Sequence, residues 1–156
     1  MEHTSNTPAW LIASEVELIY KTKVKASQRP QLASSSDAYK ILLQIWDKEK
    51  IDLIEQFNVI LLSRANKVLG IYKVSTGGIT GTIADPRLIF TAALKAGAVG
   101  MVLSHNHPSG NLKPSRADED LTQKIKQAGI FLDIKVMDHL IITSDSYYSF
   151  ADEGIL

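Results

Sequence analysis

Hydrophobic residues in the middle of the chain follow the patterns of β-strands. Two stretches, 53–63 and 67–75, are rich in β-branched and aromatic residues, and the three residues 64–66 separate them. This arrangement predicts a β-hairpin with a short turn. The run AVGMVLS at 98–104 has no polar residue before its last position. Such a run is typical of a strand that is buried on both faces.

Two later segments combine helical periodicity with recognisable ends. The first has Asp85 as N-cap and Pro86 at the first helical position, and it ends at Gly97, which suits a left-handed C-terminal residue. The second opens at Ser115 and closes at Gly129. Apolar side chains recur along one stripe of this second helix, which predicts that they face the core. These residues are Ala117, Leu121, Ile125 and Ala128.

The first part of the chain is more varied. Residues 1–13 predict a loose N-terminal arm, and the alternation in 15–24 predicts a first strand. Residues 27–36 contain a proline and several serines and predict a loop. A helix capped by Ser36 or Asp37 is expected to follow. Its expected buried side chains are Tyr39, Leu42, Leu43 and Trp46.

The remaining segments complete an α/β fold. The glycine-rich stretch 77–82 lacks the Lys-Ser/Thr of a phosphate-binding loop and predicts a turn. Further strands are expected at 131–143 and 147–150. Because strands and helices alternate in the middle of the chain, the fold class is α/β, with a mixed β-sheet flanked by helices. Residues 14–156 are expected to form a single domain.

Composition removes several kinds of chemistry. The chain has 156 residues and no cysteine, which excludes disulfide scaffolds, thiolate zinc sites and cysteine nucleophiles. The opening MEHTSNTPAW is polar and lacks the apolar region of a signal peptide, and no apolar run reaches transmembrane length. We therefore expect a soluble protein of a reducing cytoplasm, without a membrane partner.

Charge gives little guidance about partners. Lys and Arg number 17 and Asp and Glu number 17, so no net field favours nucleic acid or membranes. One basic run near the start favours either a solvated strand edge or contact with DNA. Its members are Lys21, Lys23, Lys25 and Arg29.

The segment SHNHPSGNLKPSRAD carries the strongest chemical signal. His105 and His107 directly follow the buried strand, and i and i+2 side chains in extended backbone project from the same face. Asp118 follows in the first turn of the next predicted helix. Two imidazoles and one carboxylate form a catalytic zinc set, and the metal would lower the pKa of water at its fourth position towards about 7. Alternatively, Ser115 and Asp118 form an N-terminal capping arrangement, and the two interpretations are compatible.

The complete pattern resembles a known signature. His105-x-His107, seven residues, Ser115, two residues and Asp118 are similar to the H-x-H-x7-S-x2-D motif of the JAB/MPN metalloprotease (JAMM) superfamily. The strings SHNHPSGNLKPS and Asp138-His139-Leu140 resemble its RadC-like branch over roughly residues 14–156. The resemblance implies a cytidine-deaminase-like JAB/MPN architecture and one zinc ion per chain. Full-length RadC proteins add a helix-hairpin-helix module, which residues 1–36 are too short and too strand-like to supply.

The resemblance also implies roles for individual residues. His105, His107 and Asp118 would bind zinc, and Ser115 would stabilise the oxyanion of a tetrahedral intermediate. The family also needs an upstream glutamate on a strand as general base and acid, and Glu55 is the expected residue. Glu49 competes for this role but lies in the charged run DKEK, which is typical of a solvated loop. A general base must lie within about 2.6–3.2 Å of the oxygen of the metal-bound water, and a strand can hold it there better than a surface loop.

Two residues and the final function remain open at this stage. His139 is either a structural histidine or a residue that orients a metal ligand, and Asn106 either shapes the loop or contacts substrate. The leading function is a metallopeptidase or isopeptidase that acts on a peptide or protein substrate. The alternatives are a DNA-associated protein of repair or of a mobile element, and an MPN scaffold without catalysis. The three letters HNH alone do not support an HNH nuclease.

Overall fold

A mixed β-sheet organises the residues that the computed structural model describes, 23–78 and 83–156. Its strands are β1 (Gln56–Leu62), β2 (Val68–Thr76), β3 (Gly100–Asn106), β4 (Lys135–Ile142) and β5 (Tyr147–Ser149). The helices are α1 (Ser35–Ile45), α2 (Pro86–Ala96) and α3 (Arg116–Phe131), and a 3-10 turn spans Ala26–Gln28. The strand order is β2-β1-β3-β4-β5. β3 and β4 pair in parallel, whereas the other neighbouring strands are antiparallel.

The sheet separates two hydrophobic layers, and β3 contributes to both. Met101 and Leu103 pack in the layer that contains α2 and α3, whereas Val102 packs in the layer that contains α1. A strand covered on both faces needs apolar residues at successive positions, which explains its uninterrupted apolar sequence. The same alternation places His105 on the α3 side and Asn106 on the α1 side.

Several predictions are confirmed. The α/β class with a mixed sheet is observed, and β1 and β2 form the expected antiparallel hairpin. Asn66 in its turn has a positive φ of 55°. The Asp85 side chain caps α2 by accepting the Arg87 N–H, and Gly97 ends this helix with φ 66°. The turn and the two ends of α2 are local features, so the residues that specify them are neighbours in sequence.

Strand boundaries differ from the predictions near the site. β3 continues to Asn106 instead of ending at 104, because its backbone pairs with β1 opposite His105 and with β4 opposite Asn106. Polar side chains therefore do not end this strand. β1 begins at Gln56, so Glu55 directly precedes the strand instead of lying within it. The strand predicted at 131–143 begins at Lys135, since α3 extends to Phe131.

Helix boundaries also needed correction. The N-cap of α1 is Ser34 instead of Ser36 or Asp37, because the Asp37 carboxylate accepts the Ser34 N–H in a capping box. Gly129 lies inside α3, where a Cβ atom would come 2.3 Å from the carbonyl oxygen of Ile134. The glycine is needed for this close approach and does not end the helix. Ala117, expected on the buried stripe, is exposed.

Some expectations fall outside the described residues. These are the predicted arm at 1–13, positions 15–22 of the predicted first strand, and positions 79–82 of the glycine-rich turn. Residues 23 and 24, the last two of that predicted strand, are not in a strand. Among the helices of 23–78 and 83–156, none is long and apolar enough to cross a membrane.

Candidate metal centre

The three side chains predicted to bind metal meet where β3 ends and α3 begins. His105 is the penultimate residue of β3 and is 1% exposed, His107 lies one residue beyond the strand, and Asp118 lies in the first turn of α3. One ligand atom from each residue lies within 4.8 Å of the other two. This group could therefore hold a metal ion.

The separations among these atoms test whether they fit an ion. His105 Nε2 lies 3.0 Å from His107 Nε2 and 3.2 Å from Asp118 Oδ1. His107 Nε2 lies 3.6 Å from Asp118 Oδ2. Ligand atoms placed about 2.0–2.2 Å from a tetrahedral zinc ion are about 3.3–3.6 Å apart. The observed distances lie close to this spacing, although the two histidines face different oxygens of the Asp118 carboxylate. The three side chains could therefore form a tetrahedral site with one of these oxygens as ligand.

The backbone of the following loop orients His107. Its Nδ1 atom lies 2.5 Å from the carbonyl oxygen of Asn111. Because a carbonyl can only accept, Nδ1 donates, and in the neutral ring Nε2 keeps its lone pair on the side of Asp118. The hydrogen bond with Asp118 raises the pKa of His107, partial burial opposes this, and the Asn111 carbonyl adds to the increase.

Asp118 belongs to both the helix and the cluster. Its carboxylate accepts the Ser115 N–H at 2.7 Å, and the Ser115 hydroxyl oxygen accepts the Asp118 N–H at 3.1 Å. This capping box confirms the helix-cap interpretation, and the same carboxylate faces the two histidines. Burial alone would raise the pKa of Asp118, but the neighbouring His105 and His107 hold it well below its usual range. Asp118 is therefore an ionised carboxylate at neutral pH.

Aromatic rings surround His105 on its inner side. Phe57 is stacked on it with ring centroids 6.0 Å apart, and His139 contacts it with Nε2 2.8 Å from His105 Nδ1. The sequence left His139 open between a structural residue and a partner of a ligand, and the structure places it in contact with His105. The Asp138-His139 string drew attention to this position, but the contact depends on the pairing of β4 beside β3.

Glu55 lies next to this cluster, directly before β1. Its backbone is fixed by bonds from Gly77 N–H to its carbonyl, at 2.8 Å, and from its own N–H to Gly78, at 3.3 Å. Burial raises the pKa of Glu55, and the opposite effect comes from its electrostatic interactions with His105 and His107. The competing Glu49 lies in an exposed turn. Glu55, which the sequence interpretation preferred, therefore interacts with the candidate metal ligands.

Asn106, between the two histidines, has a function in the structure that the sequence did not define. Its side chain points to the opposite face of β3 and is 0% exposed. The amide nitrogen donates to the carbonyls of Ile51 and Ile54 at 2.6 and 2.9 Å, and the amide oxygen accepts the Gln56 N–H at 2.7 Å. These bonds enclose Glu55 on both sides along the chain. Asn106 therefore attaches the segment that carries Glu55 to the strand that carries His105.

Comparison with known proteins gives consistent matches. A family model described as a RadC-like JAB domain matches residues 32–155. A UPF0758 protein of Flavobacterium johnsoniae is 50% identical over 125 residues, covering 80% of this chain and 53% of that protein. A UPF0758 protein of Salinibacter ruber is 39% identical over 124 residues, covering 80% and 51%. Another, of Chlorobaculum parvum, is 32% identical over 149 residues, covering 95% and 65%.

The extent of these matches determines what they show. The chain spans about half the length of the first two relatives, so their complete activity does not transfer to it. The family match nevertheless includes the whole observed sheet and every residue of the candidate site. The chain belongs to the RadC-like JAB domain family.

Proposed function

We propose that this domain is a zinc-dependent hydrolase of amide bonds, either a metallopeptidase or an isopeptidase. The observation that carries the proposal is the approach of two imidazole nitrogens and one carboxylate to within 3.0–3.6 Å of one another. A half-buried glutamate interacts with this group. JAB domains include metalloisopeptidases, which supports the same chemistry.

His105, His107 and Asp118 would hold the ion, one per chain, through two Nε2 atoms and one carboxylate oxygen. Two imidazoles and a carboxylate favour zinc, because magnesium and calcium prefer sites composed of oxygen atoms. Three protein ligands leave a fourth position open, as in catalytic zinc sites. When bound there, zinc acts as a Lewis acid and lowers the pKa of water towards about 7.

Glu55 would act as general base and then as general acid. Because burial raises its pKa, its carboxyl group can both take and return a proton closer to neutral pH than an exposed glutamate can. In this role it accepts the proton of the attacking water and delivers it to the leaving amine. The bonds of Gly77, Gly78 and Asn106 to its segment hold the carboxylate near the site.

Ser115 would stabilise the oxygen that becomes negative when the amide carbonyl is attacked. Its hydroxyl oxygen already accepts the Asp118 N–H, and its hydroxyl proton is not used in that bond. Ser115 is also the N-cap of α3, where the helix dipole is positive. A preorganised donor at such a position stabilises developing negative charge more in the transition state than in the ground state.

The first test is the metal content of protein purified without added metal. We expect about one zinc per wild-type chain by elemental analysis, as for a single catalytic site, and its loss in His107→Ala. Asn111→Ala is a matched control, because it changes a loop residue whose backbone carbonyl, not its side chain, contacts His107. Wild-type protein without zinc after reconstitution would contradict the proposal.

Hydrolysis is tested next with the zinc-loaded protein and a library of peptides and isopeptides. We expect cleavage by the wild type and about a 10²–10⁴-fold lower rate for Glu55→Gln, the usual contribution of general acid–base catalysis. Glu49→Gln should keep the wild-type rate. Zinc binding without any cleavage, together with salt-sensitive DNA binding, would instead favour the DNA-associated alternative.

A further inference from the structure

A buried row of hydrogen bonds begins on the side of His105 that faces away from His107. His105 Nδ1 lies 2.8 Å from His139 Nε2, and His139 Nδ1 lies 2.6 Å from the Thr122 hydroxyl oxygen. Thr122 donates in turn to the backbone carbonyl of Asp118 at 2.6 Å. His139 and Thr122 are both 0% exposed. The row therefore links the side chain of one candidate metal ligand to the backbone of another.

The direction of every bond in this row follows from its last member. A carbonyl can only accept, so the single hydroxyl proton of Thr122 points to Asp118, and the hydroxyl oxygen must accept from His139 Nδ1. His139 is completely buried, and among the described residues its ring nitrogens bond to Thr122 and His105 and to no carboxylate. A charged ring without a carboxylate partner is costly in such a place, so the ring is neutral and carries one proton. With that proton on Nδ1, His139 Nε2 accepts. His105 Nδ1 then donates, and His105 Nε2 keeps a lone pair.

The surroundings prevent water from replacing any member of the row. Phe57 is stacked on His105, and Phe150 is stacked on His139 with ring centroids 4.7 Å apart. Both phenylalanines are buried. If the proton of His139 moved to Nε2, its Nδ1 and the Thr122 oxygen would face each other without a proton between them. An unsatisfied polar group is costly in a buried place, which favours the direction described here.

We propose that His139 and Thr122 are positioning residues that keep His105 in the tautomer with its proton on Nδ1 and its Nε2 lone pair turned towards His107 and Asp118. The consequence for zinc affinity rests on the proposed function, whereas the tautomer can be measured without metal. Neither residue belongs to the candidate ligand group of His105, His107 and Asp118. They act through His105, and Thr122 also fixes the backbone at Asp118.

The tautomer is tested first, on metal-free ¹⁵N-labelled protein at alkaline pH, by long-range ¹H–¹⁵N correlation of the histidine rings. We expect the Nδ1–H tautomer for both His105 and His139 in the wild type. The Nε2–H form of His105 should gain population in His139→Phe, which keeps the ring volume and removes the acceptor. A wild-type His105 with its proton on Nε2 would overturn the proposal.

Zinc affinity is tested next, by competition with a chromogenic chelator, in two matched pairs of variants. Loss of a residue that orients a metal ligand usually lowers affinity by about 10–100-fold. We expect such a loss in His139→Phe and recovery in His139→Gln, whose amide offers one acceptor and one donor. Thr122→Val should also lower affinity, and Thr122→Ser should restore it. This second pair remains informative if His139→Phe does not fold.

The outcomes separate this inference from the proposed function. Wild-type protein that shows the expected tautomer but binds no zinc would contradict the hydrolase proposal and support the positioning inference. If the wild type binds zinc, and if His139→Gln and His139→Phe bind zinc with the same affinity as each other, the positioning role would be overturned. The hydrolase proposal would still stand. Thermal unfolding of each metal-free variant shows whether a change in affinity merely follows a loss of folded protein.

Discussion

The end of β3 has two faces in opposite hydrogen-bonding states. On the α1 side, the Asn106 amide donates twice and accepts once, so its partners are already in place within the protein. On the α3 side, Nε2 of His105, Nε2 of His107 and the Asp118 carboxylate turn towards one another at 3.0–3.6 Å. The polar atoms on the first face have their hydrogen-bond partners within the protein, whereas the second face brings several acceptor atoms together.

This difference indicates which face depends on a ligand. Acceptors that face one another repel unless a proton or a cation lies between them. Without metal, a proton shared with Asp118 can fill this role, and that interaction is the main cause of the raised pKa of His107. The contribution of the Asn106 hydrogen bonds to the free energy of unfolding should therefore be independent of metal. The contribution of the histidine face should change with metal and with pH.

The largest expected effect on stability comes from removing the hydrogen bonds of Asn106. Asn106→Ala removes three hydrogen bonds and leaves the carbonyls of Ile51 and Ile54 and the N–H of Gln56 without this partner. We expect the free energy of unfolding to fall by about 3 kcal/mol, equally with and without zinc. Urea denaturation measures this change. The exposed Asn111→Ala should change it by less than about 0.5 kcal/mol. A loss of stability that appears only with zinc would contradict the view that the Asn106 face is independent of metal.

The second largest effect on stability is expected from zinc binding at the histidine face. At a free zinc concentration 100 times the Kd, binding should raise the free energy of unfolding of the wild type by about 2.7 kcal/mol. Asp118→Ala removes one ligand, so zinc should give no comparable increase. Asn106→Ala should retain the increase, although its starting stability is lower. Denaturation of the three proteins with zinc and with a chelator measures these differences, and an equal increase in Asp118→Ala would exclude the proposed site.

A third prediction uses pH to separate the two states of the histidine face. A histidine whose pKa is raised on folding contributes stability that is present below its unfolded pKa of about 6.5 and is lost as pH rises through its folded pKa. Zinc binding is expected to show the opposite dependence on pH, because the ion would have to displace the proton of His107. Zinc affinity should fall by up to about tenfold per pH unit below the folded pKa of His107. Chelator competition at several pH values measures this slope, and a flat profile would contradict the displacement.

The smallest expected change in stability comes from Ser115→Ala, which removes the hydroxyl of the capping box but keeps the backbone N–H that binds Asp118. The free energy of unfolding should fall by about 1 kcal/mol, as for other N-caps, and zinc affinity should change little. Ser115→Thr keeps the hydroxyl and should restore stability. If Ser115→Ala eliminated zinc binding, the hydroxyl would have a role in the metal site beyond the cap.

Local features of this molecule could be predicted from the sequence. Asp85 and Gly97 specify the ends of α2 through contacts with residues at most a few positions away. The spacing of His105 and His107 predicts a shared face because alternation is a property of any extended backbone. The same holds for the cap formed by Ser115 and Asp118.

Features that depend on pairing between distant segments could not be predicted. His139 contacts His105 because β4 lies beside β3 in parallel with one particular register. Asn106 binds a segment about 50 positions away in the chain, and periodicity carries no information about that distance. The end of β3 was placed too early because its last residues are polar, although the backbone remains paired with β1 as far as His105 and with β4 as far as Asn106.

The contact between His139 and His105 also means that the site is completed late in synthesis. The chain is made from its N-terminus, so His105, His107 and Asp118 all emerge before His139. β4 can join β3 only after α3 has crossed the sheet, as the parallel pairing requires. If His139 fixes the tautomer of His105 as proposed, that tautomer would be unfixed until then, and the incomplete chain would offer zinc only a loosely ordered set of ligands. The nascent chain would therefore retain zinc weakly, and the finished domain would retain it firmly.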